Sequence, residues 1–293
     1  MELDFLYQDY DQRLAEFTRL NNKLAHYTNV DNARNILHGQ TLWLRSADQQ
    51  IDRYELKYGM ALIEKYAELR ADLIRKVSMK SSLDFLNLLT FRNDHYWKKI
   101  LTNTFLASFV VHFPHDDGTG RIDMWDRYAT PEGVAFVLKA EFLSYDDNVS
   151  GLYPLPVRYF TQDKLNEFLD SIVSQMFAIQ NDRAVMRKQS EIAVQLVCLI
   201  ASIKRMAFRA EEEWRLIANS SIERLGNHLS PRVSPRRIEL DLAGVSGSKF
   251  TLANSLERIL IGPGANQHSN RQIIKKELHS LNLDNIPVTL SSI

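Results

Sequence analysis

The run TFLASFVVHF at residues 104–113 constrains this sequence more than any other feature, because it is almost continuously apolar and rich in residues that favour strands. Such a run is typical of a central strand buried on both faces. It is too short to cross a lipid bilayer, which takes about 20 apolar residues in a helix. The sequence therefore predicts a sheet with this segment near its centre.

Strand and helix patterns alternate in blocks along the rest of the chain. Strand patterns occur at residues 24–28, 41–45, 133–139, 156–160, 211–218, 236–242, 259–262 and 286–290. Helical patterns occur at 1–20, 30–37, about 56–99, 161–206 and 267–283, with Asn29 as an N-cap and Gly39 closing the second helix. We predict an α+β fold with one domain over residues 1–293, core strands within about 24–45, 104–160 and 211–293, and helical insertions at about 56–99 and 161–206.

Composition excludes several classes of protein. Lys plus Arg and Asp plus Glu each number 36, so the formal charge is zero and does not steer the whole molecule towards nucleic acid. Cys198 is the only cysteine, which excludes intrachain disulfides and metal clusters held by thiolates. The first residues are acidic where a signal peptide is basic and then apolar, so we expect a soluble, cytoplasmic protein.

The first candidate segment is LAHYTNVDNARNILHGQTLW at residues 24–43. On its first strand His26 shares a face with Thr28, while Tyr27 points to the other side. An imidazole and a hydroxyl side by side can hold the hydroxyl groups of a sugar. The alternative is a buried histidine whose ring nitrogens are satisfied by the backbone.

The second candidate segment spans residues 108–137. Trp125 and Tyr128 lie three residues apart and share a face if that stretch is helical, so they can stack on a planar ring. The alternative is an aromatic cluster that closes the core. Four neighbouring polar residues also suggest a metal site, although a polar turn between strands explains them at least as well: His112, His115, Asp116 and Asp117.

The third candidate segment is KRMAFRAEEEWRLIAN at residues 204–219. On a strand, Glu211, Glu213 and Arg215 share one face, and Trp214 and Leu216 take the core-facing side. This predicts two carboxylates and an arginine on an open face, where a solvated edge strand is the alternative. Three cations precede the acids and would meet an arriving substrate with positive charge: Lys204, Arg205 and Arg209.

Together these segments resemble the ADP-ribosyltransferase fold, and most closely a bacterial family catalogued as a domain of unknown function. The family pattern is H-Y-T, N-D-P-x-E, a strand serine, M-W-x-x-Y, G-V, V-x-Y, F-x-x-E-x-E-W-R and I-x-I-G-P. Here it falls on His26-Tyr27-Thr28, Asp52 and Glu55, Ser108, Met124-Trp125 and Tyr128, Gly133-Val134, Val157 and Tyr159, Phe208 with Glu211, Glu213, Trp214 and Arg215, and Ile259 with Ile261-Gly262-Pro263. The second element departs from the pattern, because Ile51 and Arg53 replace its Asn and Pro.

The resemblance implies a split mixed or antiparallel sheet, NAD as the substrate and no metal. It implies that Glu213 stabilises the charge that develops on the ribose and that Glu211 orients or deprotonates the acceptor. His26 resembles the residue that holds the adenosine ribose, and either Trp125 or Tyr128 stacks on nicotinamide. The full set of implied NAD contacts is His26, Tyr27, Thr28, Ser108, Trp125, Tyr128 and Arg215, where Arg215 can instead pair with a glutamate.

The function implied is mono-ADP-ribosyl transfer from NAD to a macromolecule. Nucleic acid is slightly favoured over protein as the acceptor, because basic residues cluster at 204–209 and 232–237. By analogy, such an enzyme acts as the toxin of a toxin–antitoxin or anti-phage defence system, with a neutralising partner protein. Two alternatives remain, namely an NAD glycohydrolase and a non-enzymatic module that binds a nucleotide or a partner on the same fold.

Overall fold

The computed structural model describes residues 10–47, 55–81, 89, 94–129, 132–143, 151–178, 189–221, 225–244 and 250–293. The chain divides into two compact units. The first, which we call the helical unit, contains Met1–Tyr10, Arg45–Leu106 and Gly151–Leu225. The second, the sheet unit, contains Asp11–Leu44, Ala107–Ser150 and Gly226–Ile293. Both units draw on separate stretches of chain, and the single domain over 1–293 stays a prediction.

The described helices and strands confirm a mixed α and β structure. In the first half of the chain they are α1 (Tyr10–Arg19), β1 (Lys23–Asn29), α2 (Val30–Gly39), β2 (Thr41–Ser46), α3 (Glu55–Leu69), α4 (Ala71–Ser81), α5 (Asp94–Thr102), β3 (Thr104–His112), α6 (Ile122–Tyr128) and β4 (Gly133–Leu138). They continue as β5 (Tyr153–Pro156), α7 (Gln162–Ala178), α8 (Gln189–Ser202), β6 (Glu213–Asn219), β7 (Leu229–Arg232), β8 (Arg237–Asp241), α9 (Leu252–Ser255), β9 (Leu256–Ile261), α10 (Gln267–Ser280) and β10 (Val288–Leu290). Short 3-10 helices cover Pro114–Asp116, Ala140–Leu143 and Met206–Glu211.

The helical unit contains both predicted helical insertions, which pack against each other. Helix α3 contacts both α7 and α8, and α4 contacts α7. Their apolar stripes form one buried cluster, whose members include Ile63, Tyr66, Leu165, Leu169, Val197 and Ile200. Strands β5 and β6 pair antiparallel, and β6 also pairs with β3. The helical blocks therefore build a core of their own together with short strands.

The sheet unit is built from strands in the order β10, β9, β4, β1, β3, β2, β8 and β7. Strand β4 pairs antiparallel with β1 and β9 and is buried along its whole length. Strands β9 and β10 are parallel, and α10 connects them. Strand β3 is buried at every position except Ser108, which confirms the prediction made from its apolar run.

Two predicted boundaries are wrong for local reasons. Asn29 does cap α2, since its side chain accepts a hydrogen bond from the backbone N–H of Asn32, but the left-handed residue that ends the helix is Gln40, not Gly39. The strand predicted at 156–160 lies earlier, at Tyr153–Pro156, because after the Val157 N–H bonds to Glu213 the backbone turns from β6 to Ile203, with which Arg158 forms an isolated bridge. Asp52, which belongs to the element that departs from the N-D-P-x-E pattern, lies outside the described residues.

Candidate functional site

The candidate site is a buried cluster of four charged side chains in the helical unit. The Arg215 guanidinium donates from Nε to Glu213 Oε1 at 2.7 Å and from Nη2 to Oε2 at 3.0 Å. The Lys204 ammonium donates to Glu211 Oε2 at 2.6 Å and to Glu213 Oε2 at 3.0 Å. With two positive and two negative groups, this "ionic cluster" is neutral, which is the condition for burying charge.

The backbone of β5, β6 and the chain that follows β5 fixes Glu213 in place. Its carbonyl accepts a hydrogen bond from the Val157 N–H at 2.8 Å, and its own N–H donates to the Tyr159 hydroxyl at 3.1 Å. Burial raises the pKa of Tyr159 well above its usual value, although the hydrogen bond from Glu213 acts to lower it, so this hydroxyl stays protonated. The V-x-Y and E-x-E-W-R motifs therefore meet in one place.

The prediction of an open face carrying the acids is wrong. Glu211, Glu213 and Arg215 are only 2%, 4% and 2% exposed. All seven residues of β6 are buried, so both of its faces are covered instead of one. Glu211 is not on the strand, because it ends the 3-10 helix Met206–Glu211 and Glu212 then adopts a left-handed conformation.

Lys204 is the residue of this cluster whose role sequence reasoning missed. It was predicted to attract an incoming substrate, yet it is 4% exposed and bonds both glutamates. The signal in the sequence was its position directly after an apolar run that ends at the fully buried Ile203. Arg215 pairs with Glu213, which is the alternative to a contact with NAD that the sequence offered for this residue. Its Nη1 also donates to the Ala201 carbonyl at 2.6 Å.

His26 lies in the sheet unit, and its contact with Glu213 across one groove stays a prediction. His26 and Ser108 are brought together, since His26 Nδ1 lies 3.0 Å from the Ser108 carbonyl oxygen. A carbonyl only accepts, so Nδ1 carries a proton and donates to the backbone. His26 lines a small cavity of about 20 Å³ with mostly apolar walls that include Phe109 and Phe136. That space holds about one water molecule, and a nucleotide needs far more.

Tyr27 and Trp125 form a core cluster on the opposite side of β1 from His26. Their rings meet edge to face at 4.7 Å, and the Trp125 Nε1–H donates to the Thr119 carbonyl. The Tyr27 hydroxyl accepts the Arg121 N–H, and burial raises the pKa of Tyr27 to about 12. The alternation of Tyr27 and His26 along β1 is thus confirmed.

Trp125 is packed into the core here, and its stacking on nicotinamide stays a prediction. It is 2% exposed, and a Cβ added to Gly120 or Gly262 would lie 2.8 or 2.9 Å from its ring atoms. The two glycines therefore let the backbone approach the indole closely. Tyr128, at 39% exposure, is the aromatic residue of this helix that solvent reaches. Thr28 is buried.

The polar residues at the end of β3 and after it form an ion-paired turn. A polar turn was the alternative to a metal site for these residues. His112 Nε2 lies 3.1 Å from Asp117, whose carboxylate also pairs with Arg258 at 2.5 Å. Burial lowers the pKa of His112. Asp116 accepts the Phe113 N–H, which holds the turn. Within the part of the chain that the structure describes, no group of three or more suitable side chains is placed to hold a metal ion.

The comparisons with known proteins give one match. The family model described as "Protein of unknown function (DUF2971)" matches residues 124–216, about a third of the chain. This is consistent with the family of unknown function that the motifs resemble, and the matched segment runs from Met124 through the ionic cluster to Leu216. No curated protein matches this sequence. No solved structure matches it either.

The described helices also include none that meets the requirements of a membrane span. None combines the necessary length with sufficient mean hydropathy.

Proposed function

We propose that the protein is an NAD-dependent mono-ADP-ribosyltransferase with an ADP-ribosyltransferase-like fold. The observation that supports this proposal is the convergence of both E-x-E carboxylates, Glu211 and Glu213, on the single ammonium of Lys204. The resemblance assigns these two acids different roles in one reaction, and the ionic cluster brings them to one point. Tyr159 and Arg215, from the same pattern, complete the support of Glu213.

The proposed reaction breaks the bond between nicotinamide and the ribose C1′. Nicotinamide leaves with the bonding electrons, and the sugar passes through a state that resembles an oxocarbenium ion. The negative charge of Glu213 stabilises this developing positive charge. Glu211 accepts the proton of the acceptor as the acceptor bonds to C1′, so both atoms and charge balance. Contacts from His26, Thr28, Ser108 and Tyr128 to NAD belong to the same proposal, which also requires that the small cavity beside His26 widens when NAD binds.

The burial of the carboxylates requires that a covering segment moves when NAD binds. We propose that this segment is the stretch 205–210, in which every residue except Phe208 is exposed. The Phe208 ring lies 5.0 Å from the Lys204 ammonium, a cation–π distance. Most of the stretch is a 3-10 helix, whose hydrogen bonds are poor, and the left-handed Glu212 behind it costs about 1–2 kcal/mol. A segment held this weakly can open locally.

The decisive experiment uses NAD labelled in its adenylate half, incubated with the protein and total cell RNA, DNA and protein. We expect label on a macromolecule from the wild type and a loss of at least about 100-fold with Glu213→Gln, a size typical for removing a transition-state stabiliser. Glu277→Gln, which changes an ion-paired glutamate on α10, should retain activity. Because Glu213→Gln disturbs a buried cluster, each variant is assayed at a temperature below its thermal unfolding midpoint, so that a loss of activity does not come from unfolding. Free labelled ADP-ribose would support the glycohydrolase instead, and unconsumed NAD would contradict both enzymes.

Phe208→Ala tests the covering segment separately. Removing the ring should speed the acetylation of Lys204 by acetic anhydride several-fold, measured by mass spectrometry. It should also raise kcat/KM for NAD. Unchanged labelling of Lys204 would contradict the movement of this segment. Faster labelling without any NAD cleavage would keep the movement and contradict the enzyme.

A non-enzymatic module is the second candidate, and the burial of Glu211 and Glu213 favours it. A closed, neutral ionic cluster stabilises a fold without offering a carboxylate to substrate. The labelled-NAD experiment separates the two, because a module of this kind leaves NAD intact in the presence of every acceptor.

The proposed biological setting is a toxin with a neutralising partner, since unrestrained ADP-ribosylation harms the host that makes the enzyme. Induced expression in a bacterial host should arrest growth for the wild type and not for Glu213→Gln at equal protein levels. Growth arrest by both variants would contradict a toxic activity that depends on Glu213.

A further inference from the structure

The β7–β8 hairpin in the sheet unit carries an exposed basic tip that core packing does not explain. Leu229, Ile238 and Leu240 are buried and attach the hairpin to its unit, whereas Val233 at the tip is 92% exposed. Strand β7 ends the order of the described strands, next to β8. Three arginines and no acid lie within 230–237. The tip is therefore positive and open to a partner.

Two of these arginines lie directly opposite each other across the hairpin. Arg232 and Arg237 are register partners, and like charges in this position destabilise a strand pair. One carboxylate serves both guanidiniums: Glu239 Oε2 accepts from Arg232 at 2.7 Å, and Oε1 accepts from Arg237 Nη2 at 2.6 Å. Glu239 thus fixes two cations side by side while compensating only one of them.

Arg237 is held further by an aromatic neighbour on β2. Its guanidinium lies 4.0 Å from the centre of the Trp43 ring, within the range of a cation–π contact. Arg232, in contrast, is 56% exposed. The hairpin therefore combines one anchored guanidinium with one that extends into solvent.

The chemistry of the tip selects the kind of partner. An exposed Pro231 in β7 has no N–H to donate, so the edge does not suit the addition of another strand. Guanidinium groups bind phosphate oxygens in pairs of parallel hydrogen bonds, and a two-stranded ribbon fits the major groove of a duplex. We infer that the β7–β8 hairpin binds the phosphate backbone of a nucleic acid, with Arg232, Arg236 and Arg237 as the contacting cations.

The test measures the binding of a short fluorescent DNA duplex by anisotropy, without NAD, so its result does not depend on the proposed enzyme. Three phosphate contacts predict a slope of about −3 for log affinity against log salt concentration. Arg232→Gln should weaken binding about tenfold and reduce the slope by about 1, and Arg232→Glu should weaken it further. Arg19→Gln on α1 is the matched control, because Arg19 is also exposed, at 70%, and also ion-paired.

Three results would overturn the inference. One is no binding by the wild type at low salt, and another is an equal loss of affinity for Arg232→Gln and Arg19→Gln. The third is competition by polyglutamate as effective as that by unlabelled DNA, which would assign the tip to an acidic protein. Arg232 is exposed, so the loss of its ion pair with Glu239 should cost at most about 1 kcal/mol and leave the variants folded at the assay temperature, and this is checked by circular dichroism.

Discussion

Glu213 and Glu239 have the same kind of partners in very different surroundings. Each carboxylate accepts hydrogen bonds from two cations, Lys204 and Arg215 for the first and Arg232 and Arg237 for the second. The side chains of the first set are at most 5% exposed, while Arg232 reaches 56%. In the core, each charge of an ion pair needs its protein partner, because no solvent compensates for a missing one. At the surface, water replaces a missing partner, so the loss of one charge costs little.

The largest expected effect follows from removing one cation of the buried set. Arg215→Met should lower the free energy of unfolding by about 3–5 kcal/mol, because Lys204 alone then faces both carboxylates and the buried cluster keeps one uncompensated negative charge. Arg237→Met should cost only about 1 kcal/mol, since Glu239 keeps Arg232 and has access to water. Urea unfolding of both variants measures the difference. Equal costs would show that Glu213 is reached by solvent, which would also weaken the case for a covering segment.

A smaller effect should appear when both partners are removed together. Glu213→Gln with Arg215→Met leaves Lys204 and Glu211 as a neutral pair, so the double variant should be more stable than the sum of the single costs predicts by about 1–3 kcal/mol. The same cycle on Glu239 and Arg237 should give a coupling below about 1 kcal/mol. A coupling of equal size in both cycles would mean that burial does not distinguish the two sets.

The smallest expected effect is a pH dependence at the surface set. Burial acts to raise the pKa of Glu239, but the hydrogen bonds from Arg232 and Arg237 outweigh it, and the net pKa is lowered. A carboxyl whose pKa is lowered by folding stabilises the fold above its unfolded pKa of about 4.3 and loses this contribution as the pH falls through the folded value. Below about pH 4.3 the stability of the wild type should therefore fall more steeply than that of Glu239→Gln. Urea unfolding measures the stability of both proteins across this pH range. An equal fall in stability for the wild type and Glu239→Gln would contradict the prediction.

The sequence predicts the strands of the sheet unit well, because their patterns are local. The apolar runs of β3 and β4 and the cap at Asn29 depend only on neighbours in the chain. The environment of β6 was predicted incorrectly. The sequence alternates charged and apolar residues at Glu213, Trp214 and Arg215, and this pattern is the same whether solvent or a second layer of the protein covers the charged side. The helical insertions supply that layer, and Lys204, two residues after α8, supplies the missing charge.

Trp125 and its two glycine neighbours carry a consequence for related sequences. Gly262, the glycine of I-x-I-G-P, packs against Trp125, the tryptophan of M-W-x-x-Y. The two motifs lie more than a hundred positions apart in the sequence, yet they belong to one packing arrangement. Relatives that replace the indole with a smaller side chain should be the ones that accept alanine at the position of Gly262. Joint variation of this pair would mark ancestry of the fold, and it would carry no information about which reaction a given relative performs.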